Sequence, residues 1–245
     1  LRVDRGFENL DTTQVTKYPD ASDSCSSNHS GQTSTTEKLR QALKNMMENS
    51  DNQSTNALQE YFGNGNAVAG LNAMNTTARN TLGLTNATAI NHKFGCGGPS
   101  NNPANSLTLR DLGKLYEEVA SGLFRSEANR ETFYDLMLTS LGAISTVVDE
   151  EASGLNLAQS TLADFKSRIR TAAKAGSFST NGTKYSSIGG WVALPVKRNN
   201  VILRQEYVFG LFIDAADQID ESFSIWDARA ELLRDEIRFA LASFR

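Results

Sequence analysis

The chain has 245 residues and a formal net charge of -4, with 24 Lys and Arg against 28 Asp and Glu. That length buries a substantial core, as one large domain or two interlocked halves. The acidic balance and the lack of a dense basic stretch exclude a phosphate-collecting surface, so nucleic acid is not an expected partner.

The chain opens at Leu1 with neither an initiator methionine nor a signal-peptide pattern, which reads as a beginning from which an upstream portion has been removed or left out. Leu1, Val3 and Phe7 read as the exposed end of a helix, with a polar loop running on to residue 32. From Lys38 to Asn49 the apolar residues Leu39, Leu43, Met46 and Met47 recur at helical spacing, and Thr33 to Thr36 offer capping hydroxyls ahead of them. A second helical face begins with Ala57, Leu58, Tyr61 and Phe62, predicting a helix over 56–62, and a third spans 67–82 through Val68, Leu71, Met74 and Ala78.

Residues 83–107 are rich in Asn, Gly, Pro and Thr without periodicity, which predicts a long loop, and long ordered loops are often functional. Thr108 and Asp111 start another helix, with Leu112, Leu115, Tyr116 and Val119 on its buried face before Gly122. Further helices are expected over 126–140 and 157–169. At Thr171 the period changes to that of strands, over 172–178, 185–196 and 201–215, separated by the hairpin signals Asn181-Gly182 and Arg198-Asn199-Asn200. Residues 220–245 return to a helical pattern. The fold class expected is α+β: a mainly helical subdomain over 1–170, then antiparallel strands and a closing helix over 171–245. The apolar runs around Val201 to Leu203 and Tyr207 to Ile213 are short and broken by charged residues, so no transmembrane segment is expected.

Cys25 and Cys96 are the only cysteines. A disulfide between them would close a long loop and contribute about 4 kcal/mol by restricting the unfolded chain. The patterns Cys25-x-x-x-His29 and His92-x-x-x-Cys96 also fit a zinc site, and free thiols are the third reading. An oxidising, extracytoplasmic setting favours the disulfide, and no metal or other cofactor is expected.

The polar stretch Glu48-Asn49-Ser50-Asp51-Asn52-Gln53-Ser54-Thr55-Asn56 lies between two helical patterns, placing a hydroxyl and an amide on one short turn. Ser, Asp and Asn are also ordinary cap and turn residues, so the tripeptide alone decides nothing. Together with its flanks, from Met46 to Leu58, the stretch resembles the second signature of the serine β-lactamase and penicillin-binding protein superfamily. Lys174-Ala175-Gly176-Ser177, at the first strand, resembles the third signature, Lys-Ser/Thr-Gly. Order, spacing and the change from helices to strands agree with that superfamily over almost the whole chain.

The resemblance implies a β-lactamase/transpeptidase-like fold and a serine acyl hydrolase acting on a small-molecule or peptide substrate. Ser50 would relay protons, Asn52 would hold a substrate carbonyl or the upstream lysine, Lys174 would supply positive charge, and Gly176 with the Ser177 amide would line the oxyanion hole. Ala175 departs from the pattern by removing a hydroxyl; either Ser177 would take that part or the substrate would differ. The first signature, Ser-x-x-Lys, which carries the nucleophile, does not occur within the 245 residues. It is expected upstream, in an N-terminal portion of the same protein that would also supply the first strands of the sheet. Class A β-lactamases use a glutamate on the loop between the two central signatures to hydrolyse the acyl-enzyme. No Asp or Glu occurs between Tyr61 and Arg110, so a fast β-lactamase of that kind is not expected. A binding protein that uses the same cleft for cell-wall peptide or a protein partner, without turnover, is the rival reading.

Overall fold

A computed structural model describes residues 1–97, 103–214 and 224–245, with the backbone alone at Phe178 and Thr180. The chain forms two compact units, Leu1–Met137 and Leu138–Arg245.

In the first unit, β1 (Gln14–Lys17) pairs antiparallel with β2 (Thr35–Lys38), with α1 (Ala21–Cys25) between them. The threonines expected to cap the next helix are thus partly strand: Thr35 and Thr36 pair with Lys17 and Thr16. β-Branched side chains suit the pleated ladder better than a helix start. The helix α2 (Leu39–Glu48) follows directly, with Lys38 at its N-cap and no side-chain capping bond. Residues 2–7 form turns rather than the end of a helix; Val3 packs against the core while Phe7 is 71% exposed.

Asp51, the N-cap of α3 (Asn52–Phe62), starts that helix four residues earlier than the apolar pattern alone implies. It is followed by α4 (Ala67–Asn80), α5 (Leu109–Ala120) and α6 (Glu127–Asp135). Thr108 and Ser126 cap the last two by accepting from the N–H groups of Asp111 and Asn129. The apolar core here is small: Leu10, Val15, Leu39, Ala42, Ala57 and Leu58.

The second unit contains a helix that periodicity did not reveal, α7 (Ala143–Leu155), then α8 (Gln159–Arg168). Both pack on the sheet of this unit through Ile144, Val147, Val148 and Phe165. The sheet runs β3 (Arg170–Thr180), β4 (Thr183–Arg198), β5 (Val201–Ile213), all antiparallel, in that order. Both hairpins turn on paired left-handed residues, Asn181 with Gly182 and Asn199 with Asn200, the backbone a type I′ turn requires. Among the described residues β5 pairs only with β4, and its Val201, Leu203, Val208 and Phe212 are exposed. The closing helical stretch is split at Leu233 into α9 (Ile225–Leu232) and α10 (Arg234–Ala242). Ala215 and residues 220–223, expected to end the strand and begin the helix, lie outside the described residues. No helix among the described residues is long and apolar enough to cross a membrane.

α3 and α4 approach closely because Gly63 and Gly70 have no side chains. A Cβ on Gly70 would stand 1.7 Å from the Gln59 carbonyl oxygen, a backbone atom that cannot swing away. Gly113, inside α5, has nothing within 4 Å of the same position. Gly70→Ala is therefore expected to cost about 3 kcal/mol by overpacking, and Gly113→Ala to add about 0.5–1 kcal/mol through helix propensity. Urea midpoints of the two variants would check the opposite signs.

Candidate active site

The Ser-Asp-Asn turn is built by a reversal of the backbone between α2 and α3. The Asn45 carbonyl accepts from both the Asn49 and the Asp51 N–H, at 3.1 Å each, so the chain folds back over the end of α2. Ser50 makes this possible by adopting a left-handed conformation, φ 53°, that costs an L-residue roughly 1–2 kcal/mol. Asp51 then caps α3, accepting from the Gln53 N–H at 2.9 Å and the Ser54 N–H at 3.3 Å.

Asp51 is also the centre of a polar cluster that ties the turn to the β1–β2 ribbon. The Lys17 ammonium donates to its Oδ2 and, at 3.0 Å, to the Ser54 hydroxyl. Ser54 is fully buried and donates to Glu37 Oε1 at 2.7 Å, while Asn45 Nδ2 donates to Glu37 Oε2 at 2.9 Å. Burial would raise the Asp51 pKa, but the bonds from Lys17 and Ser54 outweigh it and hold the carboxyl below its ordinary value. Asp51 is thereby fixed as an anion, and Ser50 and Asn52 on either side of it are left exposed.

The loop expected over 83–107 contains no helix or strand among its described residues, and a single bridge joins Ala89 to Ser106. Its backbone is satisfied by asparagine amides. Asn75 donates to the Ile90 carbonyl at 2.7 Å and accepts the Ile90 N–H at 2.9 Å. Asn105 accepts the Asn91 and His92 N–H groups, and Asn56 clasps Phe94 through both its N–H and its carbonyl, at 2.8 and 2.9 Å. Cys96 is joined to Cys25 in a disulfide, which excludes the zinc reading because neither thiolate is left to bind a metal. His29 instead stacks on Tyr18 and lies against Glu60, and His92 Nδ1 lies 2.9 Å from the Lys93 carbonyl.

Asp111 anchors the other end of this loop. It is buried, and accepts from the Thr85 N–H at 3.0 Å and from the Thr85 and Thr88 hydroxyls at 2.7 and 2.6 Å. Desolvation pushes its pKa up, but these bonds prevail and bring it down to about 2.

In the second unit Lys174 lies on β3, with Gly189 of β4 as its cross-strand partner. Its ammonium is half-buried and donates to the Ala175 carbonyl at 2.9 Å, and desolvation lowers its pKa. Gly176 and Ser177 follow on the same strand, both exposed and paired with Ser187 and Ser186. Ser50 and Asn52 thus share one turn in the first unit, and Lys174, Gly176 and Ser177 share one strand in the second.

Residues 3–180 match the model of the family described as the beta-lactamase enzyme family. The chain belongs to that family. A solved structure of a TLA-1 extended spectrum β-lactamase is similar to it, with a TM-score of 0.55 and 14% identity, over 99% of this chain and 78% of that one. No curated protein matches the chain. Family and fold together support a serine hydrolase-like function.

Sequence reasoning singled out the turn but not the residues that hold it. Lys17 and Glu37 lie on a ribbon that the apolar pattern did not disclose. Asn56 and Glu60 were readable in principle, because with Asn52 they recur every fourth residue along one face of α3.

The low pKa of Asp111 sets a sign. A carboxyl held below its unfolded value, about 3.9, stabilises the fold above that pH, and this contribution is lost as pH falls through the folded value of about 2. The thermal midpoint is expected to fall between pH 4 and pH 2, and Asp111→Asn should flatten that limb while lowering the midpoint at neutral pH. Thermal melts across that range would check both.

Proposed function

We propose that this protein is an exported serine acyl hydrolase of the β-lactamase-like type, acting on amide or ester substrates through an acyl-enzyme. The observation that carries the reading is the Ser50-Asp51-Asn52 turn: Asp51 is locked by Lys17, Ser54 and the α3 amides, while its two neighbours are presented to solvent. Left-handed backbone at a residue other than glycine is the kind of strain that clusters at functional sites.

In this reading Ser50 passes a proton between the acyl-accepting hydroxyl and the leaving group, and Asn52 donates its amide to the substrate carbonyl. Lys174 is the cation. Its half-buried ammonium supplies positive charge that lowers the energy of proton transfer through Ser50. The Ser177 N–H, beside Gly176, supplies one oxyanion donor. No Ser-x-x-Lys occurs within residues 1–245, so this reading names no acyl-accepting hydroxyl among them. The disulfide fits an extracytoplasmic setting.

The absence of any carboxylate from Tyr61 to Arg110 favours a second reading, binding without turnover. One experiment separates the two. The natural full-length polypeptide is incubated with a fluorescent penicillin and the covalent adduct is followed by intact mass. An adduct is expected, and Lys174→Ala is expected to slow its formation by about a hundredfold or more with the far-ultraviolet circular dichroism unchanged. Saturable binding without any adduct would replace the hydrolase with the binding protein, and unchanged acylation in Lys174→Ala would remove that residue from the mechanism.

A further inference from the structure

The loop residues Lys93 to Cys96 run along one side of α3, with Lys93 and Phe94 tied to that helix and Cys96 tied to the end of α1. Asn52, Asn56 and Glu60 stand at intervals of four, and so share a face of the helix. Lys93, 7% exposed, donates to Glu60 Oε1 and, at 2.8 and 2.7 Å, to the carbonyls of Ser24 and Ser26, the two residues flanking Cys25. Phe94 is clasped by the buried amide of Asn56. Cys96 is bonded to Cys25. Between these ties lies Gly95, in left-handed backbone at φ 70°, and it is pressed on Asn52: a Cβ there would stand 2.7 Å from Asn52 Nδ2, 3.2 Å from Cγ and 3.3 Å from Cβ.

We propose that Gly95 is a positioning residue for Asn52, and that the strap from Lys93 to Cys96 exists to hold it against that amide. The inference rests on the role given to Asn52 above. An exposed asparagine on the first turn of a helix has free rotation about two side-chain bonds, and to donate to a substrate it must lose that freedom. The strap removes it beforehand by closing off one side of the side chain with rigid backbone. Glycine suits the position twice over, because the left-handed φ disfavours most side chains and because a Cβ there would push the Asn52 amide out of its place. Lys93 acts at one remove. Its buried ammonium joins α3 to the Cys25 loop, so both ends of the strap are referred to the same pair of anchors, Glu60 and the disulfide. The buried charge is matched by Glu60, and its remaining donors are matched by two carbonyls, which is the condition under which such a pair is tolerated.

The test is a double-mutant cycle in the natural full-length polypeptide, read as the rate of acylation by a fluorescent penicillin. It is accompanied by the side-chain amide resonances of the 15N-labelled protein, with Asn52 assigned by its loss in Asn52→Ala. Gly95→Ala is expected to slow acylation by about tenfold, the size expected of directly coupled neighbours, and to shift and broaden the Asn52 resonance. In an Asn52→Ala background the same change is expected to cost less than about twofold. Lys93→Met, which cuts a tie without touching Asn52, is expected to move the resonance in the same way and covers the case in which Gly95→Ala does not fold. An Asn52 resonance unmoved in both variants, or a Gly95→Ala loss that persists undiminished in Asn52→Ala, would overturn the proposal. If Asn52→Ala leaves acylation unchanged, it is the catalytic role of Asn52 that fails, and the resonance still decides whether the strap holds the amide.

Discussion

The Asp51 carboxylate is the constraint on which the candidate site depends. It is at once the N-cap of α3, the acceptor of the Lys17 ammonium and a neighbour of the buried Ser54 hydroxyl. Capping alone is worth about 1 kcal/mol, and that would not hold a left-handed serine beside it. The cap uses Oδ1 and the ion pair Oδ2 of one carboxylate, so α3 cannot begin elsewhere without stranding a half-buried lysine and a buried serine together. That shared dependence fixes the register of α3, and with it the directions of Ser50 and Asn52.

Each unit is stabilised internally by different physics. In the second, helices α7 to α10 close over a continuous apolar face of the sheet, from Ile188, Val192 and Leu194 to Phe209. Burial of that kind is non-directional and tolerates small shifts. The first unit has a smaller apolar cluster, and buries Ser24, Ser54, Asn56, Glu60, Lys93 and Asp111 beside it. Each of these is satisfied by named partners, and a satisfied polar network fixes direction as well as distance.

This difference explains what was legible in the sequence. The strands were readable because β-branched runs and two left-handed asparagine turns speak directly to backbone conformation, and the helices flanking Ser50 because their apolar residues recur at the right spacing. The motif residues were readable by resemblance. α7 was missed because its apolar stretch is short and Gly142 offers no side-chain cap. The β1–β2 ribbon was missed because its outward residues are polar and its pairing is set by partners twenty residues away. Lys17, Glu37 and Lys93 look like solvated charges in one dimension. Only the fold shows that they are buried or half-buried, the lysines against acceptors and Glu37 against donors.

The loop from 83 to 107 joins these points. Its lack of acidic residues first reads as the loss of a catalytic group, yet its asparagines are equally informative. A loop packed against helices must satisfy its own N–H and C=O groups, and a primary amide offers a donor and an acceptor at the spacing of a peptide group. Asn56, Asn75 and Asn105 do this for Phe94, Ile90 and His92. Carboxylates in those places would accept the N–H groups and repel the carbonyls. Asparagines are therefore the way this chain satisfies the irregular backbone from Ile90 to Phe94. The disulfide at Cys96 adds to that hold by restricting the unfolded chain, an effect of about 4 kcal/mol for a loop of this length. Between Lys93 and Cys96 these bonds and the disulfide set the loop against α3.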